Sequence, residues 1–252
     1  MAKLRYAFKA STLVEALSRI FISVLPTTIL HSPPNCSTQS INLLADMSSP
    51  SHQPSDIQTA ATAVANALAT SPKYALVGGS ACVVLGATRA TQDIDFVVLR
   101  GQTPAARQLL RASPNFTVEP RTNHTTFNAG ALSIEIEILA PPALFKEKFD
   151  QDTETIMVGN KMVLRPALIL NAKCRSILDR SNHDKKNTDA ADIIFLLNYC
   201  ASNPIYLPKA EEVPNATGQF VQMFTARYQH TDAWTTAGYD LNIGLLSQFH
   251  SF

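Results

Sequence analysis

Charge of one sign, cysteine pairs and long apolar runs are all missing from this chain, and each absence closes off a class of function. Basic and acidic residues number 21 and 20, a formal net charge of +1 over 252 residues. No overall basic field therefore favours duplex nucleic acid as a main partner, although a local basic groove stays open. The four cysteines, Cys36, Cys82, Cys174 and Cys200, include no Cys-x-x-Cys pair, which argues against a zinc site or a disulfide framework. Cys82, Cys174 and Cys200 lie in apolar or helical contexts and read as buried free thiols, suited to a reducing compartment. No stretch approaches the length of a charge-free membrane span, so no membrane partner is expected. Glycine is scarce, nine residues in all, yet two of them are adjacent, Gly78 and Gly79.

Apolar residues make up 46% of the chain, enough to build a sizeable core. The stretch 74–98 is the most informative. Tyr74 to Val77 are apolar and bounded by Pro72 and Gly78, as a buried strand would be. Gly78 and Gly79 permit a sharp turn and a close backbone approach. Ser80 is placed to cap a helix from Ala81 to about Ala90, and free N–H groups at a helix start suit a phosphate. Asp93 and Asp95 then alternate with Ile94 and Phe96. Residues two apart share one face of a strand, so both carboxylates point to one side and the apolar pair into the core. Two such acids repel each other unless a divalent cation stands between them and a polyphosphate. The plainer reading is a glycine turn followed by a polar strand edge.

Gly78-Gly79-Ser80 followed by Asp93-Ile94-Asp95 resembles the signature of the nucleotidyltransferase superfamily, the group related to polymerase beta. Within it the pattern is most similar to the AbiEii-like and minimal nucleotidyltransferases. The resemblance implies an α/β (α+β) fold, a mixed β-sheet with flanking helices and a helical C-terminal part. It further implies a nucleoside triphosphate cradled by Gly78, Gly79 and Ser80, with magnesium held by Asp93, Asp95 and a third acid from an adjacent strand. Two metal ions are compatible with such a cluster.

Ala131–Leu139 is the cleanest strand pattern: Ile134, Ile136 and Ile138 on one face, Ser133, Glu135 and Glu137 on the other. Glu137 is the better match to the third acid. Glu135 shares its face, so the register decides between them; the plainer alternative is an ordinary amphipathic edge strand. Earlier in the chain, Asp56–Thr70 and Pro104–Ala112 have helical patterns, and Phe116–Val118 suits a short strand. Arg121–Phe127 reads as a hairpin or a loop near the cleft, which would bring His124 there. Gly159-Asn160 between Ile156–Val158 and Lys161–Leu164 predicts a hairpin.

From Pro166 the period turns helical, and a second helix is predicted over Thr188–Cys200. Lys173, Arg180, Lys185 or Lys186, Asp189 and Asp192 resemble the AbiEii-like pattern of a lysine, an arginine, a Lys-Asp pair and a further acid, with Lys186 separated from Asp189 by two residues. Lys173 and Lys186 are thereby expected to neutralise charge on the departing pyrophosphate; a solvated helix–loop–helix is the alternative. Phe220, Val221, Phe224 and Tyr228 form a packing stripe, and Trp234 and Tyr239 are expected to dock on the body.

The organisation expected is an N-terminal extension and linker over 1–55, a nucleotidyltransferase core over 56–165 and a helical part over 166–252. Residues 1–46 are weakly basic and amphipathic. They read as a mitochondrial presequence, a secretory signal, an ordinary extension, or sequence upstream of a natural start at Met47. Cytoplasmic residence is expected, or mitochondrial if the presequence is genuine. The expected activity moves a nucleoside monophosphate from a triphosphate to an acceptor, which the sequence leaves open as a protein hydroxyl, a transfer-RNA end or a small molecule. A non-catalytic binding module on the same fold is the alternative.

Overall fold

Tyr74-Ala-Leu-Val77 is apolar at all four positions and becomes β1 (Tyr74–Val77), buried throughout at the middle of a sheet. In this computed structural model, residues 51–247 are described; Cys36, Met47 and the extension over 1–46 lie outside them. The elements follow in order: α1 (Pro54–Ala67), β1, α2 (Gly78–Val84), β2 (Asp93–Val98), α3 (Thr103–Arg111), β3 (Phe116–Val118), β4 (Thr125–Ala129) and β5 (Leu132–Leu139). Then come the hairpin β6 (Thr155–Val158) and β7 (Lys161–Leu164), and the helices α4 (Pro166–Asp179), α5 (His183–Ser202), α6 (Gly218–Tyr228) and α7 (Thr231–Thr236). A small ribbon, β8 (Tyr239–Asp240) with β9 (Leu245–Leu246), ends the described chain.

The seven-stranded sheet has the order β3-β4-β5-β2-β1-β7-β6. Pairs β1/β2, β3/β4, β4/β5 and β6/β7 are antiparallel, while β2/β5 and β1/β7 are parallel. The fold class is thus a mixed α/β one, as the sequence indicated. Ile94 and Phe96 of β2 and Ile134 of β5 are fully covered, so the alternation in both strands sends one face into the core and leaves the acids on the other. Trp234 is buried against Phe220, Phe224 and Tyr239, so the C-terminal aromatics dock as expected. Cys82, Cys174 and Cys200 are buried free thiols. Among the described residues, no helix is long and apolar enough to cross a membrane.

The helices after β1 and after α4 depart from the sequence reading, each for a local reason. The helix after β1 begins at Gly78 rather than beyond Ser80 and ends at Val84. Val77 occupies the cap position with no side-chain bond, so Ser80 is not the cap. Helix α5 begins at His183, five residues before the predicted Thr188, because the Asn182 side chain accepts hydrogen bonds from the backbone N–H groups of Asp184 and Lys185. Lys185 and Lys186 therefore ride on the first turn of a helix and not in a loop. Thr217 caps α6 through Phe220 N–H, so that helix starts at Gly218 and the preceding residues are irregular.

Candidate active site

The parallel pairing of β2 with β5 sets the acids side by side: Asp93 lies opposite Glu135 and Asp95 opposite Glu137. On its other side Asp95 lies opposite Val77, the last residue before the glycine turn. Three neighbouring strands thus converge on one carboxylate. Asp95 and Glu137 stand as direct neighbours on adjacent strands. Burial, followed by the charges of Asp93 and Glu137, holds Asp95 well above the usual carboxylate range, with Lys173 opposing. Glu137 is also raised, by desolvation first and then by Asp93 and Glu135, while Asp95 and Lys185 pull it back. Glu135 points elsewhere: its carboxylate is 3.3 Å from His124 Nδ1. Of the two candidates, Glu137 is the one that meets Asp95, and His124 stands at the edge of the cluster through Glu135.

Gly78 is required by its backbone. Its φ is +63°, and a Cβ there would collide with the Asp95 carboxylate. A side chain in this conformation costs about 1–2 kcal/mol before any clash is counted. We expect Gly78→Ala to lower the melting temperature by several degrees and to displace Asp95; a variant that melts like the wild type would show that the turn relaxes freely. Gly79 is a glycine for a different reason: a Cβ would strike Arg89 and approach Thr91 Oγ1 at 2.9 Å. Ser80 is fully buried, its hydroxyl donating to the Val77 carbonyl at 3.0 Å and accepting from Asp95 N–H at 3.1 Å. It ties α2 to β2. Of the three residues expected to cradle phosphate, Gly78 alone lines the cleft.

That cleft has a volume of about 400 Å³. Asp95, Glu137 and Gly78 line it together with Lys173, Arg175, Ser176 and Asp179 of α4 and Arg180 just beyond that helix. Acids and bases thus share the space a polyphosphate would fill. Lys173 is not free in it. Its ammonium is 2.7 Å from Asp189 Oδ1 and 2.8 Å from Asp192 Oδ2, both acids being nearly fully buried. Burial alone would lower the Lys173 pKa; Asp192 and Asp189 outweigh it and hold the charge firmly in place. Arg180 Nε reaches Asp189 at 3.1 Å and stays 42% exposed on its side chain. Of the two alternative lysines, Lys185 places its charge within reach of Glu137. Lys186 instead lines a separate hollow beside α6.

Arg89 was invisible in the sequence reading. It grips Asp192 with two parallel bonds of 2.6 and 2.7 Å, the planar fork that arginine makes with carboxylates. It also donates to the Ala90 carbonyl at 2.8 Å. Its guanidinium underlies Gly79, so it links the glycine turn to α5. The chain Arg89–Asp192–Lys173–Asp189–Arg180 runs from that turn to the bases of the cleft lining. Arginine four residues before an Asp-x-Asp strand was the only available signal.

Among the described residues, no three His, Cys, Asp or Glu side chains already converge on one point that could hold a metal ion. The donor chemistry nevertheless fits a hard divalent cation: oxygen donors from two adjacent strands, with burial and the neighbouring acids holding Asp95 and Glu137 above the usual carboxylate range.

No protein-family model and no curated protein matches the chain. Solved structures do. An antigenic nucleotidyltransferase-like protein from Paracoccidioides brasiliensis superposes with a TM-score of 0.54 at 21% identity, over 78% of this chain and 96% of that one. The fold is nucleotidyltransferase-like. JHP933 from Helicobacter pylori aligns with a TM-score of 0.46 at 15% identity, over 73% of this chain and 87% of that one. On this nucleotidyltransferase-like fold, Asp95 of β2, Glu137 of β5 and the turn at Gly78 line a single cleft, while Asp93 and Glu135 pair one step along the same two strands.

Proposed function

We propose that this chain is a magnesium-dependent nucleotidyltransferase that moves a nucleoside monophosphate from a triphosphate to an acceptor hydroxyl. The observation that carries the reading is the register of β2 against β5, which sets Asp95 beside Glu137 under the glycine turn. Asp93, Asp95 and Glu137 would hold magnesium, which supplies charge neutralisation at the phosphates when bound. Gly78 brings bare backbone to the cleft, with no side chain to keep a phosphate away. Arg180, in the cleft lining, and Lys185, whose charge acts on Glu137, would stabilise the charge that gathers on the departing pyrophosphate; Lys173 holds Asp189 and Asp192, and through them Arg180 and Arg89, in place. Glu137 takes the proton from the acceptor hydroxyl. That oxygen forms the bond to the α-phosphorus, the bond from phosphorus to the bridging oxygen breaks, and pyrophosphate leaves. The AbiEii-like assignment is supported by the meeting of Lys173, Arg180, Asp189 and Asp192 in one buried cluster. Three buried free thiols favour a cytoplasmic setting.

A second reading, a nucleotide-binding module without turnover, draws on the same cluster, because among the described residues its acids do not converge three at a time. Labelling separates the two. Each α-labelled triphosphate is supplied with magnesium and cell extract. Transfer of label to one fraction is expected; tight binding without any transfer would establish the module.

Glu137→Gln is expected to slow transfer by about a hundredfold or more, the loss of about 3 kcal/mol of charge stabilisation. Glu135→Gln, engaged with His124 and one residue pair away, should change the rate by less than about tenfold, since a ligand must lie within about 2–2.6 Å of its ion. Single-turnover rates at saturating magnesium decide. A dead Glu135→Gln with an active Glu137→Gln would move the third ligand to Glu135.

A further inference from the structure

We infer that His124 binds the acceptor of the transfer, on the side of the acids away from the departing pyrophosphate; the inference rests on the transferase reading above. The acids of β2 and β5 stand in two ranks. Asp95 and Glu137 line the cleft together with Gly78, Lys173 and Arg180. Asp93 and Glu135 form the second rank, about 7 Å back along the same two strands, and lie outside that lining. In an in-line displacement the attacking and leaving oxygens stand on opposite sides of the phosphorus. With the triphosphate in the cleft beside Gly78 and Arg180, the attacking hydroxyl arrives over the second rank.

That rank continues into a polar sheet face. Directly paired residues share a face, so the register aligns Thr117 of β3, Thr126 of β4, Glu135 of β5 and Asp93 of β2 in one row. Asn128 extends it: its amide donates to Thr117 Oγ1 at 3.2 Å and to Thr126 Oγ1 at 3.4 Å, and its oxygen accepts from Ser133 Oγ at 3.1 Å. All of these side chains are half-buried or exposed, while Phe116, Val118, Phe127 and Ile134 on the other face are core. His124 stands at this row, immediately before β4. Its backbone is tied on both sides. Glu119 N–H donates to its carbonyl at 2.8 Å, its own N–H donates to Thr122 Oγ1 at 3.2 Å, and the buried Thr125 hydroxyl donates to the Asn123 carbonyl at 3.1 Å. From that fixed point the half-exposed ring brings Nδ1 to 3.3 Å from the Glu135 carboxylate. A carboxylate at Nδ1 fixes a proton there and leaves Nε2 to accept from a hydroxyl or amide of the incoming molecule. Glu135 is thereby a positioning residue, which gives a task to the β5 acid that does not meet Asp95.

The test uses the full chain, the α-labelled triphosphate that gives most transfer, and the extract fraction that takes the label, titrated by dilution. His124→Ala should need about tenfold more of that fraction for half-maximal transfer, the loss of one hydrogen bond to the acceptor. It should reach the wild-type rate once the fraction is saturating. His124→Gln carries an amide oxygen in place of Nε2 and should recover most of the loss. Glu135→Ala should reproduce part of the defect, and His124→Ala added to it should cost less than the two changes summed. Thermal stabilisation by the same triphosphate with magnesium should be equal in wild type and His124→Ala. An unchanged midpoint in His124→Ala, with an active wild type, overturns this proposal alone, as does a His124→Gln variant no better than the alanine. A loss that saturation does not recover, or one that takes the triphosphate stabilisation with it, also overturns it, by placing His124 in the chemical step or on the nucleotide. A wild type that transfers no label from any triphosphate removes the transferase reading and the acceptor role with it.

Discussion

Asp95→Asn is expected to abolish transfer and, in the absence of metal, to raise the melting temperature. Both effects come from one carboxyl. Asp95 is the point where β1, β2 and β5 meet. Its carboxyl lies against Gly78, and it stands opposite Glu137. Asparagine has nearly the same shape, so the fold loses no packing contact. What it loses is charge that burial and two acid neighbours already disfavour. A gain of a few degrees is what about 1 kcal/mol produces in a domain of this size. The rate should fall by at least about a hundredfold, since the group proposed to hold the metal has become a neutral amide.

The sign with pH follows from the direction of the shift. A carboxyl whose folded-state pKa lies above its unfolded value stabilises the fold while protonated, and that contribution is lost as pH rises through the folded value. The stability advantage of Asp95→Asn should therefore shrink as the solution is acidified from about pH 8 to about pH 5. Melting curves with a chelator present, for both proteins across that range, are the measurement. A wild type that melts above the variant at neutral pH without metal would mean that Asp95 is stabilised by a partner other than the acids beside it.

The elements that could be read from sequence were those whose signal is local. β1, β2 and β5 announce themselves by apolar runs or strict alternation, and the β6–β7 hairpin by Gly159-Asn160. The acids of the site were legible for the same reason, as alternating polar positions in apolar strands. Pairing is not local. That β5 lies parallel to β2, so that Asp95 meets Glu137 and Glu135 turns to His124, depends on a crossover linking segments some forty residues apart. Arg89 and Asp192 are 103 residues apart; Arg89 looks like an ordinary surface charge by itself, and Asp192 stood out only through the family pattern, with no partner indicated. Lys173 had a chemical reading, a free cation for phosphate, that its two buried acid partners alter. The start of α5 was missed although its cue was present, because Ser181-Asn182-His183-Asp184 reads equally well as a loop until the Asn182 cap is counted.

Lys173→Met should be the most destabilising single change in the site. The lysine bridges two acids that are 2% and 1% exposed, Asp189 and Asp192. Asp189 retains Arg180 and the Ser176 hydroxyl at 3.0 Å, and Asp192 retains Arg89. Methionine fills the stem's volume but leaves two neighbouring carboxylates without the cation between them. Removing one partner from a buried ion network typically costs about 3–5 kcal/mol; the remaining arginines set the expectation at the lower end, about 3 kcal/mol, or a fall of roughly 6–12 °C in melting temperature. The pH dependence has the opposite sign to that of Asp95. Burial alone would raise the Asp189 pKa, but Lys173 and Arg180 reverse this and hold it below the usual value. That contribution is present above the unfolded pKa and is lost as pH falls through the folded one. The gap between wild type and Lys173→Met should therefore be widest near neutrality and narrow under acid. Urea unfolding at several pH values gives it directly. A gap that stays constant or widens toward acid would show that Lys173 stabilises the helices by packing its stem rather than by its charge.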